Sequence, residues 1–428
     1  MVQPRFKARS LIRFNFSNFK RYFNKETVIE NFLKDSTNKN IILNYSQLRI
    51  ALLHFLFNEI PSGSHIATSC YTIYDMVNVI ISAGHTPVFV DINKENLSPD
   101  IDALIKLIKS NKVKAVIFTH LHGYKVCLKN LKNICIQHNC ILIEDCAQSL
   151  WNPKWSKTDN IPGLYADVAL FSTGFFKVVN SISGGYLLFN NKNNNFDKLK
   201  NDYLKLKTNL SFDFFYRFIY GIFFYALTNR FIFKLLLFPV LKYSRRNNIE
   251  FVNKRSREEN NPKLIKRTKK SILRMNFLQR FFVRFQDISS LNSDYQKRKV
   301  IANLYLENLK DLLERELIII PGLSKSNNWV SMNDFSIYYQ IPVICNFPEE
   351  LITFLVNHNI DIARQHIKNL PNYETYKRFS NNSTNKAEEI SKNLILLPCY
   401  PDLRLNNVKK IIYYIRKFYS QKDEKKCL

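Results

Sequence analysis

Between residues 42 and 205 the spacing of apolar side chains alternates between two periods. Residues 48–57, 76–82, 101–109 and 128–138 repeat every three to four positions and predict helices. Residues 65–69, 87–91, 113–119, 141–145, 167–172 and 186–189 are short apolar runs and predict strands. Alternation of this kind predicts an α/β domain, a mostly parallel sheet with helices on both faces. Ligands of such sheets collect at the carboxyl ends of the strands. His120, Asp145 and Ser172 all fall at predicted strand ends.

The rhythm breaks at 205–265. Residues 212–241 are densely apolar and aromatic, interrupted by Arg217, Arg230 and Lys234, and the longest uncharged run, 218–229, is too short to span a bilayer. Eleven basic residues follow between Lys242 and Lys270. Two readings fit: an interfacial helix or shallow re-entrant hairpin on an anionic membrane, or a buried hairpin or oligomer interface with a basic linker. The first 41 residues interleave cations and aromatics over 13–23, which suits an N-terminal helix packed on the body or a lipid contact. Beyond 266, strands at 338–344 and 394–398 and helices at 284–313, 350–357 and 408–419 describe a smaller α+β domain. The expected units are therefore 1–41, 42–204, 205–265 and 266–428.

Composition narrows the class. At 428 residues, 46% hydrophobic and 23% charged, the chain is long and apolar enough for a folded two-domain protein. Its net charge of +28 points to anionic partners: phosphorylated substrates, an anionic membrane surface or nucleic acid. No zinc-finger spacing or RNA-recognition motif accompanies it, so nucleic acid is not expected as a partner. The eight cysteines form no C-x-x-C pair and read as reduced core residues of a cytosolic protein, and no cleavable signal peptide is expected. No metal is expected, because His120 and His122 lack a carboxylate or cysteine to complete a ligand set.

The stretch DVALFSTGFFK, 167–177, is a buried strand that breaks at a small-residue turn and delivers Lys177. A lysine partly desolvated at a strand end loses proton affinity and becomes an amine nucleophile, the form that makes a Schiff base with a carbonyl. Taken by itself, Lys177 reads first as a solvated surface charge, the commoner case for a lysine at a strand end.

Its companions make the pattern specific. IEDCAQ (143–148), FSTGFFK (171–177) and the pair Gly184-Gly185 together resemble the DegT/DnrJ/EryC1/StrS family of pyridoxal-phosphate-dependent sugar aminotransferases. AGHTPVFVD (83–91), THLHGY (119–124), LLPCYP (396–401) and Tyr71-Thr72 extend the resemblance over most of 42–200 and 271–420, leaving 205–265 outside. The resemblance implies fold type I, with a large mostly parallel domain, a smaller C-terminal domain and a homodimer. It implies Lys177 as the lysine that carries pyridoxal 5'-phosphate and shuttles protons, and Asp145 as the partner of the pyridinium nitrogen. Gln148 would bond the phenolic oxygen and Ser172 the phosphate. The phosphate-binding Gly-Thr pair is replaced by Ser46-Gln47, the ring-stacking aromatic by Ile73, the Asn before Leu273-Arg274-Met275 by Ile272, and the acid before Gly-Gly by Ser183. His120, His122, Tyr124 and His366 are candidate substrate contacts by position, with a structural or supporting role the commoner reading of each.

The function so implied is amination of a nucleotide-linked keto sugar, with glutamate as donor, for surface polysaccharide or a related glycoconjugate. Two rivals stand beside it: a catalytically degenerate homologue that binds a membrane or partner, and a dehydratase acting on the same sugars. The expected location is cytoplasmic, with peripheral membrane contact through 212–241.

Overall fold

A computed structural model describes residues 2–7, 26–124, 126–153, 161–190, 196–208, 210–247, 249, 262–323, 339–364, 367–380 and 383–426. The basic-aromatic stretch 13–23, His366 and much of the cationic run after 247 lie outside the described residues. The first helix, α1 (Val28–Thr37), starts at a capping box between Thr27 and Glu30. It leads into β1 (Ile41–Tyr45), α2 (Leu48–Glu59), β2 (His65–Ser69), the two-residue β3 (Tyr71–Thr72), α3 (Tyr74–Ser82) and β4 (Thr86–Val90). The alternation continues through α4 (Ile101–Lys109), β5 (Ala115–Thr119), α5 (Lys129–Gln137), β6 (Ile141–Asp145), β7 (Val168–Ser172), β8 (Gly185–Phe189) and α6 (Asp197–Lys205).

Seven of these strands form one sheet in the order β1-β8-β7-β6-β5-β2-β4. From β7 to β4 every pairing is parallel. The central strands are apolar on both faces because helices cover both, and so they read as continuous runs. β8 pairs antiparallel with β7 and with β1, so this edge departs from the parallel pattern. β1 went unanticipated: it is half-buried, five residues long and carries no turn signal of its own.

The second domain is built on a four-stranded sheet in the order β11-β13-β10-β9, comprising β9 (Ile318–Ile319), β10 (Ile341–Cys345), β11 (Ala363–Arg364) and β13 (Leu394–Leu397). The helix Ile288–Asn308 and the closing helix Leu405–Lys426 flank it. A two-stranded pairing of β3 with β12 (Lys368–Asn369) stitches this domain to the large one. Residues 2–7 also dock on it: Tyr400 donates to the Pro4 carbonyl (2.8 Å) and Arg5 pairs with Asp361 (3.3 Å).

The insertion is a bent helical pair, Phe212–Leu227 and Arg230–Arg246, with 65° between its arms. Ser211 caps the first arm by accepting from Phe214 N–H (3.1 Å) and Asn229 caps the second by accepting from Phe231 N–H (3.0 Å). The first arm packs on the loop before Lys177: a Cβ on Gly221 would lie 2.8 Å from the Phe175 ring, so only glycine permits this approach. Phe224 meets Phe175 and Phe176 edge-on at 6.0 and 5.1 Å. The second arm buries Phe233 and Phe238 in the core of the small domain and ties Arg245 to Glu349 at 3.0 Å. The insertion thus bridges both domains. Its outer face is apolar, with Phe212 86%, Leu235 68% and Leu236 63% exposed. Among the described residues no single helix is long and apolar enough to cross a membrane.

Candidate active site

The parallel register places Thr119 beside Asp145 and Asp145 beside Leu170, so the ends of β5, β6 and β7 converge. The chain leaves β7 through Ser172, whose hydroxyl accepts from Gly174 N–H (3.3 Å). The turn closes with Lys177 N–H donating to the Gly174 carbonyl (2.9 Å). Thr173 and Ser181 hydroxyls bond at 2.7 Å across the base of this loop and fix its exit. Gly185 permits β8 to pass the start of α2, since a Cβ there would lie 2.3 Å from Leu48 backbone atoms.

Lys177 emerges half-buried, with its ammonium over the Tyr339 ring at 5.6 Å. Burial lowers its pKa from 10.5 to about 8; the Asp145 carboxylate opposes that fall and Arg49 adds to it. Asp145 is buried and accepts from Ala147 N–H (3.0 Å). Burial raises its pKa, with Ala147 N–H and then Lys177 acting in the opposite direction. The lysine and the aspartate are therefore electrostatically coupled across adjacent strand ends, an amine near neutrality beside a buried acid.

Gln148 is oriented by its own oxygen, which accepts from His122 N–H at 2.6 Å and leaves Nε2 as the donor end. His122 holds a left-handed backbone (φ 55°) to make that turn. The side chains of His120 and Tyr124 are both taken up by bonds within the fold. His120 Nε2 pairs with Glu144 at 2.8 Å and Nδ1 faces the Tyr124 carbonyl at 3.2 Å. Tyr124 is fully buried and donates its hydroxyl to the Pro321 carbonyl. Both side chains serve the scaffold, because their strand-end positions point into the domain rather than into the cleft. Glu144 anchors His120, also accepting from Gly163 N–H (2.5 Å) and Ala166 N–H (2.8 Å). Burial would raise the Glu144 carboxyl, but the bond and charge of His120, Gly163 N–H and the Lys39 charge together outweigh it and hold the carboxyl below its usual range. Cys146 lies close enough to make a three-residue ligand-type cluster with His120 and Glu144, so the fold brings to His120 the carboxylate and cysteine that the sequence did not place beside it.

Ser46 and Gln47 stand at the start of α2, where the phosphate is expected. Ser46 N–H donates to the Leu273 carbonyl (2.9 Å) and its own carbonyl accepts from Gln279 (2.9 Å). Gln47 is the N-cap residue of α2 without a side-chain cap; its amide instead donates to Asp213 of the insertion (2.6 Å). Its side chain is thus engaged away from the expected cofactor contact. Ile73, 38% exposed, begins α3 at the mouth of the cleft.

Three groups escaped the sequence reading. Gln279 braces Ser46 and Ser183 together, donating also to the Ser183 carbonyl (2.6 Å). Tyr339 covers the Lys177 amine. Arg49, in the first turn of α2, pairs with Asp75 in the first turn of α3, which also receives Arg267 (3.1 Å). A cation in a helix's first turn opposes the helix dipole, and that anomaly was legible in the sequence.

Comparison with known proteins agrees with the geometry. The GDP-perosamine synthase of Vibrio cholerae is 30% identical over 131 residues, a stretch that is 31% of this chain but spans only 35% of that protein. Two solved structures share the fold. Helicobacter pylori PseC, an aminotransferase involved in pseudoaminic acid biosynthesis, has a TM-score of 0.66 at 18% identity, covering 97% of this chain and 99% of that one. The Escherichia coli GDP-4-keto-6-deoxy-D-mannose-3-dehydratase, holding hydrated PLP, has 0.63 at 13% identity, with 97% and 99% covered. The family model matches residues 46–201 and 272–416, leaving out the insertion as the motifs do, and with both halves of the cleft inside those limits the chain belongs to the DegT/DnrJ/EryC1/StrS aminotransferase family.

Proposed function

We propose that the protein is a pyridoxal-phosphate-dependent aminotransferase that converts a nucleotide-linked keto sugar to an amino sugar, with glutamate as donor. The observation that carries this reading is the coupling of Lys177, with an amine near pKa 8, to buried Asp145 across adjacent strand ends. The cofactor fits this donor set. Asp145 is a buried acid with a backbone N–H on one oxygen, an arrangement that a cationic ring nitrogen completes. When bound, the cofactor supplies an electron-poor ring that spreads the negative charge developing at the substrate carbon.

The chain's own residues do the rest. Lys177 holds the cofactor covalently and then, as a free amine, carries the proton to and from the substrate carbon. Its depressed pKa keeps a useful fraction in the base form near neutrality. Asp145 holds a proton on the ring nitrogen through charge. Gln148 Nε2 and the Ser172 hydroxyl are the polar ends available to the phenolic oxygen and the phosphate. The anionic diphosphate of a nucleotide sugar suits a cleft with excess cations.

The test is an amino-donor-dependent turnover assay against a panel of nucleotide-linked keto sugars. Glutamate-dependent appearance of amino sugar, lost in Lys177→Ala, is expected. Conversion of a sugar without consumption of any amino donor would favour the dehydratase reading, for which the E. coli structural neighbour is the motivation. Absence of both would favour a degenerate binding protein.

The exposed outer face of the insertion supports a second element of the reading: peripheral seating on an anionic bilayer. The bent arms carry Phe215, Ile219, Phe223 and Leu236 outward, and Lys242, Arg245 and Arg246 follow at the end of the second arm. Co-sedimentation with anionic vesicles should fall when Phe215, Phe223 and Leu236 are changed to Ser. Unchanged sedimentation with a change of mass in solution would assign the face to a homodimer instead.

A further inference from the structure

We propose that Arg49 and Arg267, brought together on Asp75 at the starts of α2 and α3, form the phosphate-monoester subsite for the cofactor in this chain. The inference rests on the pyridoxal-phosphate reading above and names the groups that replace the missing Gly-Thr turn.

Arg49 occupies the first turn of α2, a turn with no acidic residue, where a cation and the positive end of the helix dipole oppose one another. Burial, with like charge from Arg217 and then Arg267, lowers the Arg49 pKa to about 10. Among the described residues two carboxylates pair with these three guanidinium groups. Asp75 accepts Arg49 and, at 3.1 Å, Arg267. Asp213 accepts Arg217 at 2.8 Å and Gln47 at 2.6 Å. The cluster is short of negative charge, and Lys177 feels it directly. A phosphate dianion at the start of α2 would supply that charge, with guanidinium forks suited to its oxygens and backbone N–H groups behind them. Asp75 stands in for it as the internal counter-ion, and the insertion contributes the third cation through Arg217. A lysine that carries the cofactor ring, next to an arginine that carries its phosphate, keeps both ends of one small ligand within one electrostatic neighbourhood.

The experiment compares pyridoxal phosphate with pyridoxal, which lacks the phosphate, in the full-length protein. Both are followed by the visible band that each gives on Lys177, and the readout is the ratio of their dissociation constants. Arg49→Gln should weaken pyridoxal phosphate roughly 10- to 100-fold more than pyridoxal, which feels the change only through the raised Lys177 pKa. The double variant Arg49→Gln/Asp75→Asn should give the same collapse of the ratio without stranding a buried carboxylate, and Asp75→Asn alone should not lower it. A wild-type band with a ratio untouched by Arg49→Gln overturns the proposal alone. Weakened binding of a nucleoside diphosphate, with the ratio intact, also overturns it and gives the cluster to the substrate. No band with either compound in the wild type overturns the cofactor reading and this proposal together.

Discussion

The Lys177 amine can be titrated directly, and the structure fixes where its midpoint must lie and how two neighbours must move it. An ordinary lysine with a pKa of 10.5 is neutral in roughly one molecule in 300 at pH 8, whereas Lys177 at about 8 is neutral in half. Trapping the Schiff base that apoprotein forms with pyridoxal, by borohydride reduction and peptide mapping, should therefore mark Lys177 with a midpoint near 8. The other lysines of the chain should label with midpoints well above it. The signs follow from the causes. Asp145 holds the ammonium form through its charge, so Asp145→Asn should lower the midpoint, by about one pH unit for a nearby opposite charge. Arg49 opposes the ammonium form, so Arg49→Gln should raise it. A Lys177 midpoint near 10.5, or an Asp145→Asn variant that moves it upward, would refute the coupling on which the site is built.

Stability should report the same strain. Because the folded pKa of Lys177 lies below its unfolded value, the unfolded chain binds more protons between about 8 and 10.5, and stability rises with pH across that window. Lys177→Met apoprotein should be more stable than wild type by about 2–3 kcal/mol at pH 7, a gain that fades toward pH 10.5, as read by chemical denaturation. Glu144→Ala strands His120 and two backbone donors and should cost about 3–5 kcal/mol in the same assay. The Glu144 carboxyl is held low, so its contribution is present above pH 4.5 and is lost as pH falls through the folded value. Gly221→Val should push Phe175 off its seat and shift the Lys177 labelling midpoint toward that of an ordinary lysine, whereas an unchanged midpoint would mean that the insertion does not position the loop.

The large domain was readable because its strands are buried on both faces and its helices on one, two patterns that periodicity separates cleanly. β2, α4 and β6 fall at the expected residues. The antiparallel edge was not readable: a five-residue, half-buried β1 has no alternation to mark it, and pairing direction leaves no trace in a short apolar run such as β8. Lys177 and Asp145 could be located because a nucleophile and its counter-charge sit at strand ends, a position that topology fixes. His120 and Tyr124 sit at a strand end too, and there position left two roles open, since only the fold shows that their side chains turn toward Glu144 and Pro321. Arg49, Arg267 and Asp75 come from three separated segments, and no local pattern joins them. The insertion showed its amphipathic composition in sequence, but that its inner face would bridge both domains and brace the lysine loop depended on tertiary packing.

The central claim is that Lys177 carries pyridoxal phosphate in a site completed by Asp145. Absorbance of the purified full-length protein mixed with pyridoxal phosphate tests it most directly. A visible Schiff-base band that saturates at one cofactor per chain, disappears in Lys177→Ala and weakens in Asp145→Asn is the predicted result. A wild-type spectrum that is only the sum of protein and free cofactor, or a band that survives Lys177→Ala, would contradict it.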